Sequence, residues 1–258
     1  MSDVHSAAVG GYSQQAKSYS SGRPDYPAEL HDWLVDVLGA TAGKLVVDLG
    51  AGTGKFTKRV VATGADVIAI EPVAAMREQA RLTVPGIKVL DGSAESTGLD
   101  TASVDVIVCA QAFHWFATDA ALREMHRVLR PGGRLGLIWN VRDESTPWVA
   151  KITDLITPFE GDVPRFHTGK WRNAIQGSRW FDLPAPTVLE HAHVGPSESV
   201  IVDRFRSTSF IADLPEADRE ALLQSIRDLV ASEPTLRGRE SVSFPYRTEA
   251  YCCRRLTA

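Results

Sequence analysis

From about residue 44 the chain alternates short runs rich in Val, Ile and Leu with longer amphipathic stretches, and this alternation restricts the fold more than any other feature. The runs "KLVVDLG", "ADVIAI", "IKVL", "VDVIVCA" and "GRLGLIW" read as strands. A helix over 54–62 follows the first and "VAAMREQARL" follows the second. Before the last strand, Leu122, Met125, His126 and Leu129 recur at helical spacing, with "RPGG" ending that helix. Strands joined by helical crossovers return in the same direction and pack helices on both faces. The expectation is an α/β fold with an open, mostly parallel, doubly wound sheet over 42–140.

The flanks are less regular. Residues 24–39, "PDYPAELHDWLVDVLG", read as an amphipathic helix before the first strand, within an N-terminal helical segment or lid over 1–41. Residues 141–180 carry Pro, Trp and Gly without a strand series, as a helical or irregular insertion would. "TVLEHAHV" and "SVSFPYRTEAYCC" read as two late strands separated by helical material over 198–232. Paired, they would complete the sheet with an antiparallel member, making 141–258 a lid over an acceptor as well as the end of the sheet.

Charge narrows the partners. The net charge is −4, and residues 1–140 carry 13 basic and 15 acidic side chains against 15 and 17 in 141–258. Neither part is a basic footprint, so nucleic acid and anionic lipid surfaces are not expected partners. No apolar run approaches the ~18 residues of a membrane span. The N-terminus lacks the layout of a secretion signal, and the three cysteines form no disulfide framework, so a cytoplasmic setting is expected. A monomer or a homodimer suits such a chain.

Between the first strand and helix lies "DLGAGTGKF", residues 48–56. A phosphate-binding P-loop needs four residues between its glycines and a hydroxyl after the lysine; here three residues separate Gly50 from Gly54, and Phe56 takes the hydroxyl's place. A dinucleotide fingerprint needs a third small residue where Lys55 stands. Asp48, Gly50, Gly52 and Gly54 instead fill every position of D-x-G-x-G-x-G. Glu71 ends the second strand, where an acid can accept from both hydroxyls of a ribose. "GSAE", 92–95, follows the third strand, and "LRPGGRL", 129–135, precedes the fifth.

With these four motifs in order over about 45–139, the chain resembles the class I S-adenosylmethionine-dependent methyltransferases. The resemblance implies a Rossmann-like methyltransferase sheet, S-adenosylmethionine as cofactor and methyl transfer as activity. It places Asp48, Gly50, Ala51, Gly52 and Gly54 around the cofactor, Glu71 and Pro72 at its ribose, and Ser93, Ala94 and Glu95 near its adenine. Ser93 stands where the family usually carries Asp. "SYSSGRPDYP" and "AQAFHWF" are similar to the branch that includes the trans-aconitate methyltransferases, which adds Tyr19 and Arg23 at the cofactor's border.

"QAFHWF", 111–116, follows the carboxyl end of a central strand, the edge where ligands bind in open α/β sheets. Gln111 is expected at the cofactor, Phe113 and Trp115 against the acceptor, and His114 as a base. Arg142, just beyond the fifth strand, is expected to reach an anionic acceptor. Lys55 reads as solvated and His126 as partly buried, while His191 and His193 read as structural, since no metal-ligating cluster accompanies them. No Asn-Pro-Pro-Tyr-like run holds a planar nitrogen, so the expected reaction is methylation of a small molecule, at a carboxylate or hydroxyl oxygen. An NAD(P)-dependent oxidoreductase and a non-catalytic S-adenosylmethionine-binding protein remain open alternatives.

Overall fold

The computed structural model describes residues 23–257. Five strands come in series: β1 (Leu45–Leu49), β2 (Asp66–Ile70), β3 (Lys88–Leu90), β4 (Val104–Ala110) and β5 (Leu129–Arg142). Two follow late, β6 (Thr187–Gly195) and β7 (Val242–Arg254), and the seven form one sheet in the order β3-β2-β1-β4-β5-β7-β6. The first five pair in parallel, whereas β7 lies between β5 and β6 and runs antiparallel to both. The late pair therefore forms as expected, with β7 as the antiparallel member.

Alternation along the strands divides the core between two faces. In β4, Ile107 and Cys109 join Leu122, Met125, Trp139 and Trp171 on one side, while Val106 and Val108 join Trp33, Leu34, Phe56 and Val60 on the other. Both faces are covered, which is why parallel strands read as unbroken apolar runs. Helices α1 (Leu30–Asp32, continued by a π-wound turn Trp33–Val37), α2 (Lys55–Val61), α3 (Ala74–Thr83) and α4 (Asp119–Val128) accompany the parallel strands. Thr118 starts α4 by accepting the Ala121 amide on its hydroxyl at 3.1 Å, satisfying one of the unpaired donors of the first turn.

Three sequence expectations change. The helix expected over 24–39 is helical only over 30–37; Pro24 and Pro27 disfavour helical backbone at the residues before them. "RPGG" lies inside β5, because Leu129 pairs with Val104 and Arg134 with Val106, so the four residues between bulge from the ladder. His126 is buried, not partly exposed, and its Nε2 lies 2.8 Å from the Leu256 carbonyl.

After β5 come α5 (Pro147–Ile156) and α6 (Lys170–Gln176), and between β6 and β7 α7 (Arg204–Arg206), α8 (Ser209–Ala212) and α9 (Glu216–Ser232). Trp148 and Ile152 of α5, Phe205, Phe210, and Leu222 and Ile226 of α9 close on Phe244 and Tyr246 of β7, giving this helical cap an apolar core of its own. Among the described residues, no helix is long and apolar enough to cross a membrane.

Candidate active site

The sheet order reverses between β2-β1 and β1-β4, and at such a switch point the loops leaving the carboxyl ends diverge and leave a crevice. A cavity of about 540 Å³ occupies it, within the range of small-molecule sites. Its wall takes Gly50, Ala51 and Gly52 from the loop after β1, Glu71 and Pro72 after β2, and Ser93, Ala94 and Glu95 after β3. Gln111 and Trp115 enter from beyond β4, and Arg23 from the N-terminal segment.

The glycine loop has steric reasons. Gly50 has φ +74°, and a Cβ there would lie 2.8 Å from Cβ of Ala112 and 3.2 Å from the Phe116 ring. Gly54, at φ +81°, does not line the cavity; a Cβ there would press on Ala80 of α3 at 3.2 Å, so this glycine lets α2 approach α3.

Glu71 is 6% exposed and holds two elements together: Oε2 accepts the Gly52 amide and Oε1 the Val73 amide, each at 2.9 Å. Burial pushes its carboxyl up from the ordinary range, and the two amides oppose that. Asp48 lies beneath the loop and does not line the cavity. Its Oδ2 accepts the Thr57 hydroxyl at 2.6 Å, while Oδ1 is sealed with no partner among the described residues. Burial, with Glu71 adding to it, raises this carboxyl to about 7 against the pull of Thr57. Asp48 thus reaches the cavity wall only indirectly, through Thr57 of α2 and the charge of Glu71.

Besides Asp48 and Gly54, the structure moves three further expected residues off the wall. Phe113 is fully buried, its ring edge-on to Phe116 and Trp171 in the core. Arg142 lies over the Phe205 ring at 5.6 Å, with Glu144 3.9 Å away. His114 does not line the cavity, and its Nδ1 accepts the Trp139 indole N–H at 3.1 Å. An indole nitrogen only donates, so the ring proton sits on Nε2 and the basic nitrogen is engaged. Burial pulls His114 down to about 3, helped by the positive charges of Arg165 and Arg23. Tyr19 lies outside the described residues.

Lys55 is the reverse case. Instead of being solvated, it lines the cavity and donates to the Arg23 carbonyl at 2.6 Å. Arg204 of the cap, which nothing in the sequence singled out, reaches the same wall. Its Nη1 donates to the Thr208 hydroxyl at 3.1 Å, and its Nε is sealed without a partner among the described residues. Burial lowers both cations; Asp25 opposes this at Lys55, and Arg23 adds to it at both. Asn140 and Phe116 also line the cavity unannounced. Phe116 lies in the quoted "QAFHWF", and Asn140 sits near the carboxyl end of a strand, a position that is a signal in itself; Arg204 had none.

Residues 47–137 match the family model of the methyltransferase domain. A methyltransferase of Mycobacterium tuberculosis (strain ATCC 25618 / H37Rv), itself uncharacterized, is 37% identical over 238 residues, covering 90% of each chain. An uncharacterized methyltransferase-like protein of Schizosaccharomyces pombe is 32% identical over 241 residues, 90% of this chain and 91% of its own. The chain belongs to the class I S-adenosylmethionine-dependent methyltransferases. A solved structure from Anaeromyxobacter dehalogenans, assigned provisionally as a type II methyltransferase, superposes on this methyltransferase with a TM-score of 0.65 at 26% identity, covering 91% of this chain and 97% of the other.

The cavity's chemistry fits that cofactor. Each Glu71 oxygen accepts one amide and keeps a lone pair for a ribose hydroxyl. The Gly50 backbone lies bare where a side chain would collide, and the tight turn closed between Ser93 and Ser96 presents Ser93, Ala94 and Glu95 to the wall.

Proposed function

We propose that this methyltransferase methylates an oxygen of a small-molecule acceptor, a carboxylate in preference to a hydroxyl, and that it falls in the branch resembling the trans-aconitate methyltransferases. One observation carries this reading: Arg23, Lys55 and Arg204 line one cavity, while its two acidic wall residues, Glu71 and Glu95, follow β2 and β3. Glu71 and Glu95 come from the loops after β2 and β3, whereas Lys55 follows the glycine loop after β1 and Arg204 comes from the cap between β6 and β7. Half-buried cations that converge repel one another, and an anionic acceptor among them relieves that repulsion.

S-adenosylmethionine, when bound, supplies a methyl group on a sulfonium sulfur; that S–C bond breaks, its electron pair stays on sulfur, and an acceptor oxygen lone pair forms the new C–O bond. A carboxylate reacts without losing a proton, whereas a hydroxyl needs a base. His114, with its basic nitrogen engaged away from the wall, does not supply one. The protein's contribution is alignment and exclusion of water. Glu71 fixes one end, the three cations fix the acceptor, and Tyr26, Phe56, Trp115 and Phe116 close the wall. Residues 141–258 then act as the acceptor-side lid that delivers Arg204.

The test is transfer of labelled methyl from S-adenosylmethionine to a panel of small aliphatic and aromatic carboxylic acids. The expected product is an ester whose label alkali releases as methanol. Arg204→Gln combined with Lys55→Met is expected to raise the acceptor KM at least tenfold while leaving S-adenosylhomocysteine affinity within about twofold, since one charge-assisted bond is worth roughly 1.5–3 kcal/mol. Label confined to alkali-stable products, or to protein or nucleic acid, would overturn the reading.

A further inference from the structure

Two non-glycine residues among those described have positive φ, Ala102 at +52° and Gln111 at +56°. Ala102 lies in an exposed turn, where such backbone is common. Gln111 follows directly on the carboxyl end of β4, the strand beside β1 in the sheet, and lines the cavity. A β-carbon in the left-handed region costs energy that glycine would avoid. Here the surroundings enforce it: the Gln111 amide donates to the Ile138 carbonyl at 2.8 Å, and its side-chain Nε2 donates to the Asn140 carbonyl at 3.2 Å.

These bonds determine what the side chain offers. A main-chain carbonyl only accepts, so the nitrogen end of the carboxamide faces Asn140. A primary amide nitrogen carries two protons, and the bond to Asn140 uses one. We propose that the second Nε2–H of Gln111 holds one oxygen of the acceptor carboxylate, leaving the other oxygen's lone pair to face the incoming methyl. Gln111 is then an acceptor-orienting residue and not the cofactor contact that its position in the sequence implies. Strained backbone at a ligand site is retained when the side chain it aims is needed there. The inference rests on the carboxylate reading above.

The experiment is calorimetric titration of S-adenosylhomocysteine-loaded protein with succinate, citrate and benzoate, on wild type, Gln111→Gly and Gln111→Met, with thermal unfolding of each. Gln111→Gly is expected to unfold no earlier than wild type. Both variants are expected to bind S-adenosylhomocysteine within about twofold of wild type, and the best of the three carboxylates at least tenfold more weakly. Carboxylate binding equal in wild type and both variants would overturn the inference and leave the carboxylate reading standing. Loss of S-adenosylhomocysteine affinity in Gln111→Gly would overturn it in favour of a cofactor contact, and a marked drop in its unfolding temperature in favour of a structural role. If none of the three binds wild type, the carboxylate reading falls, and this inference with it.

Discussion

Replacing Glu71 by Ala removes the acceptor of two main-chain amides at once, Gly52 in the loop and Val73 at the start of α3. S-adenosylhomocysteine affinity is therefore expected to fall roughly 10- to 100-fold by calorimetry, about 1.4–3 kcal/mol, with Glu71→Gln intermediate. Asp48 gives a pH signature. Its folded pKa of about 7 lies above the ordinary 3.8, so the folded protein keeps a proton that the unfolded chain releases between those values. The stability this contributes is complete below about pH 4 and is lost as pH rises to 7. A shift of about three units corresponds to about 4 kcal/mol. Asp48→Asn is expected to flatten that part of the stability–pH curve, measured by urea unfolding from pH 4 to 8. For His114, held neutral, turnover is expected to show no ionisation near 6.5. His114→Phe would cost about 1–3 kcal/mol in stability through the orphaned Trp139 indole, while the shape of the pH–rate profile stays unchanged.

At the scale of elements, the turn from β1 into α2 is where sequence and structure agree most closely. Gly50→Ala is expected to destabilise the fold by about 1–3 kcal/mol and to abolish S-adenosylhomocysteine binding, because the loop must shift to clear Ala112 and Phe116. Differential scanning fluorimetry with and without that ligand would show both effects. The loop was legible because its demands are local: positive φ and close approach select glycine and little else. The parallel strands were legible for the same reason, since a strand covered on both faces reads as a short unbroken apolar run. "QAFHWF" was only half legible. Its place after β4 was clear, but which of six side chains face the cavity depends on the short helical turn Phe113–Trp115, which sends Phe113 into the core and Trp115 to the wall. "RPGG" reads locally as a helix stop, yet pairing with β4 resumes on both sides of it.

Across the whole molecule, β7 joins the two parts. It pairs with β5 on one side and β6 on the other, and it lends Phe244 and Tyr246 to the cap's core. Truncation after residue 241 is expected to leave no soluble folded monomer by gel filtration, even with S-adenosylhomocysteine present, because it strands β6 and opens that core. The cation cluster belongs to this scale too, and so it stayed hidden. Arg204 stands 149 positions from Lys55 in the chain, and no local pattern announces that the cap will fold one against the other. On the proposed reading the cluster also governs how a turnover ends. Esterification removes one negative charge from the acceptor, so the wall that captures it loses part of its electrostatic grip once the reaction is complete. The chemistry itself then releases the product, and the ester competes poorly with fresh acid for the site.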